Sequence, residues 1–338
     1  MKKVIFILAL ALTSSLTFAQ DKPAADKPME ISGSVDTYYK YDFSKTANIP
    51  TSFASDQNSV SLGMIDIALK KTTGKTSFVG ELSFGPRGEG QSLLNSGSNG
   101  QSFHIQNLYV NYAASDKFTL TAGFMATFIG YEVISPLGNF NYSTSYLFTN
   151  GPFQNAGIKG TYAFSSKVSL MVGAFNDNWN VYQANPKFGL NAVGAQLTLV
   201  PVKEITAYLN YLDGSVSGSI FDLTASYQIT PKFKLGLNAA DYSNTGKVGY
   251  SGIALYPSYS IKDNFALGLR AESFNYKQGS GDKSVSALTL TANLKSGGLT
   301  FIPEFRMDTN SNKTMFVGSN LAPTKSASQF SLAAVYGF

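Results

Sequence analysis

Two pairs of charged residues, each with its members two positions apart, have the residue types and spacing that could form a chemical site. Arg270 and Glu272 form one pair, and Glu304 and Arg306 form another. In an extended strand, residues two apart point to the same face. Such charges either pair across neighbouring strands or, where they ring an aqueous passage, set its ion preference. Four more candidates for a water-facing wall occupy polar faces elsewhere, namely Glu81, Lys159, Asp222 and Lys234.

Catalytic chemistry has little support in the sequence. The chain has no Cys and one His, His104, so any nucleophilic or acid–base mechanism built on histidine must use that residue. Ser102 lies two positions away, which is about 7 Å along a strand and too far for direct proton transfer. We therefore expect no catalytic residues and interpret His104 as a histidine on a water-facing or interfacial wall.

Two short motifs resemble binding sites only superficially. The run Gly85–Gly90 (GPRGEG) lacks the Lys-Ser/Thr ending and the following helix of a phosphate-binding loop, so we expect an outer loop. Asn176-Asp177-Asn178 offers a single carboxylate, which makes a poor calcium cage, and a turn is the better interpretation. The sequence therefore predicts no metal and no cofactor. It has no basic cluster that would indicate nucleic acid.

The amino-terminal residues have the pattern of an export signal. Residues 1–19 combine two lysines, an apolar stretch and a small-residue cleavage site, and the apolar stretch is too short to span a membrane. We expect cleavage before Gln20 and a polar leader over residues 20–29. The remaining chain, residues 30–338, is predicted to form a single domain.

That domain is dominated by alternation of apolar and polar residues over about ten positions. In the first strand Ile31, Val35, Tyr39 and Phe43 share one face, and Ser32, Asp36 and Lys40 share the other. Strands of this length suit a tilted membrane strand. The 31 Gly, 19 Tyr and 25 Phe fit a β-protein whose two faces meet different solvents.

The connections between these segments alternate between short turns and longer loops. Seven short turns and eight longer loops join sixteen predicted strands. An even number of strands with short turns at one end is typical of a transmembrane antiparallel β-barrel. We therefore predict an all-β fold of about sixteen strands, with short periplasmic turns and longer outer loops. A soluble secreted sandwich is the alternative fold.

The last strand and two earlier stretches resemble known proteins. The last strand ends in Tyr336 and Phe338, like the assembly signal of bacterial outer-membrane proteins. The segments Gly33–Phe43 and Gly130–Phe153 resemble the β-barrel porin-2 (OmpL-like) family of Bacteroidetes-type outer membranes. Members often carry Asn-Tyr-Ser-Arg-Ser where this chain has Thr144, so it lacks that arginine. The resemblance implies an outer-membrane porin and assigns no solute.

Residues 129–152 interrupt the alternation and form the third outer loop of the predicted barrel. A loop this long and apolar is expected to pack against something, so we predict that it folds inward and narrows the lumen. Its candidate constriction residues are Tyr131, Glu132, Asn139, Asn141 and Tyr142.

The predicted function is passive diffusion of small polar solutes and ions through a water-filled channel in the bacterial outer membrane. Expected partners are lipid, the assembly machinery that reads the last strand, and further copies of the chain in a trimer. A non-conducting barrel acting as an adhesin or anchor through its outer loops is the alternative function.

Overall fold

A closed barrel dominates the computed structural model, which describes residues 28–87, 103–177, 189–244, 246, 248–278, 283–313 and 315–338. In this part of the chain sixteen antiparallel strands close the sheet, and each pairs with its sequence neighbours. The barrel strands are β1 Glu30–Asp42, β2 Val60–Thr73, β3 Thr76–Phe84, β4 Phe103–Ser115, β5 Phe118–Ala126, β6 Gln154–Ala163, β7 Val168–Phe175, β8 Ala192–Leu199, β9 Ile205–Gly214, β10 Gly218–Gln228, β11 Phe233–Ser243, β12 Gly249–Lys262, β13 Phe265–Lys277, β14 Lys283–Ser296, β15 Leu299–Thr309 and β18 Ser326–Gly337. The predicted barrel is confirmed.

The remaining elements lie in loops. A short two-stranded ribbon pairs β16 (Phe316–Val317) with β17 (Pro323–Thr324). Between β5 and β6 lie a 3-10 turn, Pro136–Gly138, and a short helix, α1, Tyr146–Asn150. No helix in the described ranges is long and apolar enough to cross a membrane. The predicted signal peptide and all of the leader before Pro28 lie outside the described residues.

The alternation of residue types decides which face of each strand points outward. Outward apolar side chains are exposed, as at Val60 and Phe221, while inward polar ones such as Asp36 are buried. An apolar outer band with a polar interior is the arrangement that a membrane barrel requires. The short turn after β2 contains Gly74 with a φ of 56°, a left-handed conformation that glycine adopts without steric cost.

Pairing of the first and last strands closes the barrel. Val35 of β1 lies opposite Tyr336 of β18. At the end of this seam Gly33 and Phe338 exchange two backbone hydrogen bonds of 3.0 Å each. In the described part of the chain this seam leaves the barrel sheet without a free edge. A sheet edge exposed to lipid would leave backbone groups unbonded.

Candidate functional site

The segment Ile129–Pro152, named here the lumen loop, bonds to the polar faces of strands spread over half of the barrel's circumference, from β1 to β10. Its backbone or side chains bond to Asp36 of β1, Asp222 of β10, Glu272 of β13 and Glu304 of β15. In a closed barrel the polar faces of these strands share one interior. The lumen loop therefore lies inside the barrel.

Glu304 holds the middle of the lumen loop. Its two carboxylate oxygens accept the backbone N–H groups of Tyr142 at 2.9 Å and Ser143 at 3.1 Å. The hydroxyl of Thr291, on the neighbouring β14, donates to the same carboxylate at 2.9 Å. Hydrogen bonds to an ionised acceptor are about twice as strong as neutral ones, so Glu304 is a firm anchor.

Glu272 holds the start of α1 in the same way. Its carboxylate accepts the N–H groups of Tyr146 at 3.0 Å and Leu147 at 2.8 Å, two donors that a helix start leaves without intrahelical partners. The Ser145 hydroxyl caps the helix by accepting from the N–H of Phe148 at 3.0 Å. A wall carboxylate thus fixes a helix that is too short to be stable alone.

Two buried arginines bind the loop's carbonyl groups. Arg270 pairs with Glu132 at 2.8 Å and also donates to the carbonyl of Ser143. Arg306 pairs with Asp308 at 2.8 Å and donates to the carbonyl of Thr144 at 2.8 Å. Each guanidinium is fully buried. Both arginines thus join wall and loop by donating charge-assisted hydrogen bonds from the wall to acceptors of the loop.

Two tyrosine hydroxyls add anchors at the wall. Tyr142 donates to Asp36 at 2.6 Å and Tyr146 donates to Asp308 at 2.8 Å. Burial raises the pKa of both hydroxyls. Each therefore keeps its proton, and can donate, throughout the physiological pH range.

Two glycines on the inner wall leave space for aromatic rings of the lumen loop. A β-carbon at Gly268 would collide with the ring of Phe140, and one at Gly236 would collide with Tyr131. Tyr131 also stacks on Tyr256 with 4.5 Å between ring centroids. Each glycine thus leaves a socket, a space for one aromatic ring, which a larger residue at that position would occupy.

The segments that follow β1 and β3 also contact the lumen loop. The Ser52 N–H donates to the Thr149 hydroxyl at 2.9 Å. Arg87 donates to the carbonyl of Ile134 at 2.8 Å, and its guanidinium lies 4.6 Å from the ring centre of Phe53. Arg87 was not among the predicted site residues, because it lies just after β3 in the Gly85–Gly90 run, which was interpreted as an outer loop.

The predicted pore-lining charges fall into two groups. Arg270, Glu272, Glu304 and Arg306 face inward but are covered by the lumen loop, with 0–3% of each residue exposed. As pore-lining candidates these four residues were expected to contact water. Hydrogen-bond donors and acceptors of the lumen loop contact them instead. Asp222 is also buried, and it accepts hydrogen bonds from Gly130, Asn210 and Asn238.

The second group borders more open space. Glu81 is half-buried and accepts a bond from Asn107, Lys159 is half-buried, and Lys234 is exposed. Neither lysine has an ion pair or hydrogen bond within the described ranges.

The candidate constriction residues make contacts within the lumen loop and with the barrel wall. Asn139 exchanges hydrogen bonds with the backbone of Val133, and Asn141 donates to Thr291 at 2.6 Å. Glu132, expected as a charge at the constriction, instead has a side chain only 4% exposed, beside Arg270. Its charge is neutralised by a wall residue 138 positions away, a contact that no local pattern indicates.

The other candidate sites differ in what can be said of them. Asp177 accepts hydrogen bonds from Ser215, Val216 and Ser217 between β9 and β10, 38–40 positions away, and Asn178 of the predicted turn lies outside the described residues. No cluster of three metal-ligating side chains occurs among the described residues. The side chain of His104 and most of Gly85–Gly90 lie outside the described set. Tyr336 and Phe338 are about half exposed on the outer face.

Solved outer-membrane proteins, porins among them, share this architecture. An anion-selective porin from Comamonas acidovorans superposes with a TM-score of 0.62 at 13% identity, covering 94% of this chain and 100% of that one. The trimer form of in-vitro folded OmpT from Vibrio cholerae gives 0.58 at 12%, covering 94% and 100%. A variant of the Rh. blastica porin gives 0.54 at 15%, covering 92% and 100%. Identities this low establish the shared barrel fold.

Sequence comparison assigns the family. No curated protein sequence matches the chain significantly. The family model described as "Putative beta-barrel porin-2, OmpL-like" matches residues 28–338, which include every barrel strand. The chain therefore belongs to that family and is an outer-membrane porin.

Proposed function

We propose that the porin passes small polar solutes and ions by passive diffusion and that the lumen loop narrows its channel. The observation that carries the narrowing is the anchoring of the loop backbone by Glu304 and Glu272 on two inner-wall strands. Sixteen strands enclose an aqueous channel, so a segment fixed across the interior limits its width.

Single-channel conductance in a planar bilayer tests the narrowing. Deleting Ile134–Tyr146 removes the anchored part of the loop and should raise conductance. Gly268→Val is a finer change, because the new side chain occupies the socket of Phe140 and should displace the loop. The matched control is Gly80→Val, since a β-carbon at Gly80 has no neighbour closer than 4.0 Å. Unchanged conductance in both folded loop variants would refute the narrowing.

A non-conducting barrel that acts through its outer loops is the second candidate, because the lumen loop buries so much of the wall. Tyr142 and Tyr146 are fully buried inside the barrel. A correctly folded protein that carries no current and admits no sugar into liposomes would favour this candidate over the channel.

We infer no enzymatic role, which the porin family and the barrel fold support. The remaining candidate for catalysis is His104. If any hydrolytic activity accompanies the pure protein, it should survive His104→Ala. Loss of such activity in that variant would contradict the inference.

We also propose a homotrimer and removal of residues 1–19 on export. The trimer form of OmpT shows that a barrel of this fold assembles in threes. Chemical crosslinking in detergent should give three times the protomer mass, and mass spectrometry of the exported protein should place its first residue at Gln20. A protomer-sized species alone, or an uncleaved chain, would contradict these two proposals respectively.

A further inference from the structure

Two inner-wall lysines remain outside the network that anchors the lumen loop. Lys159 lies on β6 and Lys234 on β11, and both occupy the polar faces of their strands. Within the described part of the chain, neither amino group has a hydrogen bond or an ion pair. Every arginine and carboxylate beneath the loop, by contrast, has a partner of its own. The charges of these two lysines therefore take no part in anchoring the lumen loop.

Both lysines line cavities beside the lumen loop. Lys159 borders a space of about 430 Å³ together with Gln196 and Tyr208. Lys234 borders a space of 290 Å³. Tyr131 and Ser226 line both spaces, so the two adjoin. We name the combined surface, from Lys159 past Tyr131 and Ser226 to Lys234, the lysine track.

The charge on this surface is positive. Among the described residues Glu132 is the one acidic residue that lines either space, and Arg270 and hydrogen bonds from Ser145 neutralise it. Glu81 borders a different space of 280 Å³. The segment Ala126–Gly130 contributes to both that space and the one at Lys159, so it lies between Glu81 and the lysine track.

We propose that the lysine track is a passage for small anions bearing carboxylate or phosphate groups, with Lys159 and Lys234 as its charged contacts. The inference rests on the proposed channel function and adds the class of solute. Lys ammonium groups bind such anions as point charges. The hydroxyl groups of Tyr208 and Ser226 add neutral hydrogen-bond donors between them. Two weak contacts in series let an anion enter and leave, as conduction requires.

Reversal potential in a salt gradient tests the track. The wild-type channel should prefer anions over cations. A unit charge about 10 Å from the ion changes local ion concentrations about two-fold in opposite directions for the two signs, so Lys159→Gln with Lys234→Gln should lower the anion-to-cation permeability ratio by several-fold. Acetate and inorganic phosphate as test anions separate carboxylate from phosphate preference.

The controls isolate the position and the charge. Lys167→Gln makes the same charge change in the turn after β6, outside the lumen, and should leave the ratio unchanged. Lys159→Arg with Lys234→Arg keeps both charges and should keep the anion preference. Heat-modifiable migration in detergent gels verifies that each variant is folded.

The outcomes separate the inference from the channel function. A conducting wild type without anion preference overturns the inference and leaves the channel standing. So does a folded double glutamine variant with an unchanged ratio, or an equal loss in Lys167→Gln. A folded wild type that conducts nothing contradicts both the channel function and the track.

Discussion

Glu304→Gln should release the middle of the lumen loop while leaving the barrel closed. One carboxylate oxygen of Glu304 accepts from Tyr142 and Thr291, and the other accepts from Ser143. The amide oxygen of glutamine can replace the first, but its NH2 group then faces the Ser143 N–H, another donor. The variant therefore loses one hydrogen bond to a charged acceptor and leaves a buried donor unpaired.

The size of the effect follows from those two losses. A hydrogen bond to a charged group contributes about 1.5–3 kcal/mol, and an unsatisfied buried donor costs about 1–3 kcal/mol. Because the two overlap, we expect the docked loop to lose about 2–4 kcal/mol of stability, which is roughly a 30-fold to 1000-fold rise in the undocked population.

Native-state hydrogen exchange measures this directly. Amides of Tyr142 and Ser143 should exchange faster by that factor in detergent-solubilised Glu304→Gln protein, with barrel-strand amides unchanged. Glu204→Gln is the control, because Glu204 pairs only with the largely exposed Lys203 in a turn. Exchange at Tyr142 and Ser143 within two-fold of wild type, in a folded variant, would refute the anchoring role of Glu304.

Three further predictions concern other contacts. Arg270→Met should lower the free energy of unfolding by about 3–5 kcal/mol in denaturant titrations because Glu132 is left unpaired, and adding Glu132→Gln should restore most of it; strictly additive losses would contradict this pairing. Burial acts to raise the pKa of Asp177, but hydrogen bonds from Ser215, Val216 and Ser217 outweigh burial and lower the pKa below its ordinary 3.8. The turn between β9 and β10 should therefore resist proteolysis above pH 4, lose that resistance as the pH falls through the lowered pKa, and resist weakly at every pH in Asp177→Asn. Resistance without pH dependence would contradict this prediction. Deleting Phe338 should reduce the yield of protein in the outer membrane several-fold, measured by fractionation, and an unchanged yield would exclude the terminal residue as an assembly signal.

The barrel was predictable because its determinants are local. Alternation over about ten residues identifies a strand and its outward face, and turn residues such as Gly74 mark where pairing begins. These signals depend on backbone geometry and on lipid outside the sheet. Sixteen strands, the pairing order and the even count follow from them, and the structure has all three.

The contacts of the lumen loop were not predictable from such signals. Its length and apolar content indicate that it packs on something, but Arg270 with Glu132 joins residues 138 positions apart. Asp36 and Asp308, which bind the tyrosine hydroxyls, look in the sequence like ordinary polar-face residues. The glycines at 236 and 268 resemble any others in an alternating strand. Only the closed barrel reveals that they are opposite an aromatic ring.

The span of the lumen loop's contacts has a consequence for how the chain folds. Tyr142 reaches back 106 positions to Asp36 and forward 162 positions to Glu304. Contacts of such separation form late, because long loops must close before they are made. The loop can bind both partners only when the first and last strands are near each other. The anchoring contacts of the lumen loop are therefore expected to be among the last to form, after Gly33 has met Phe338.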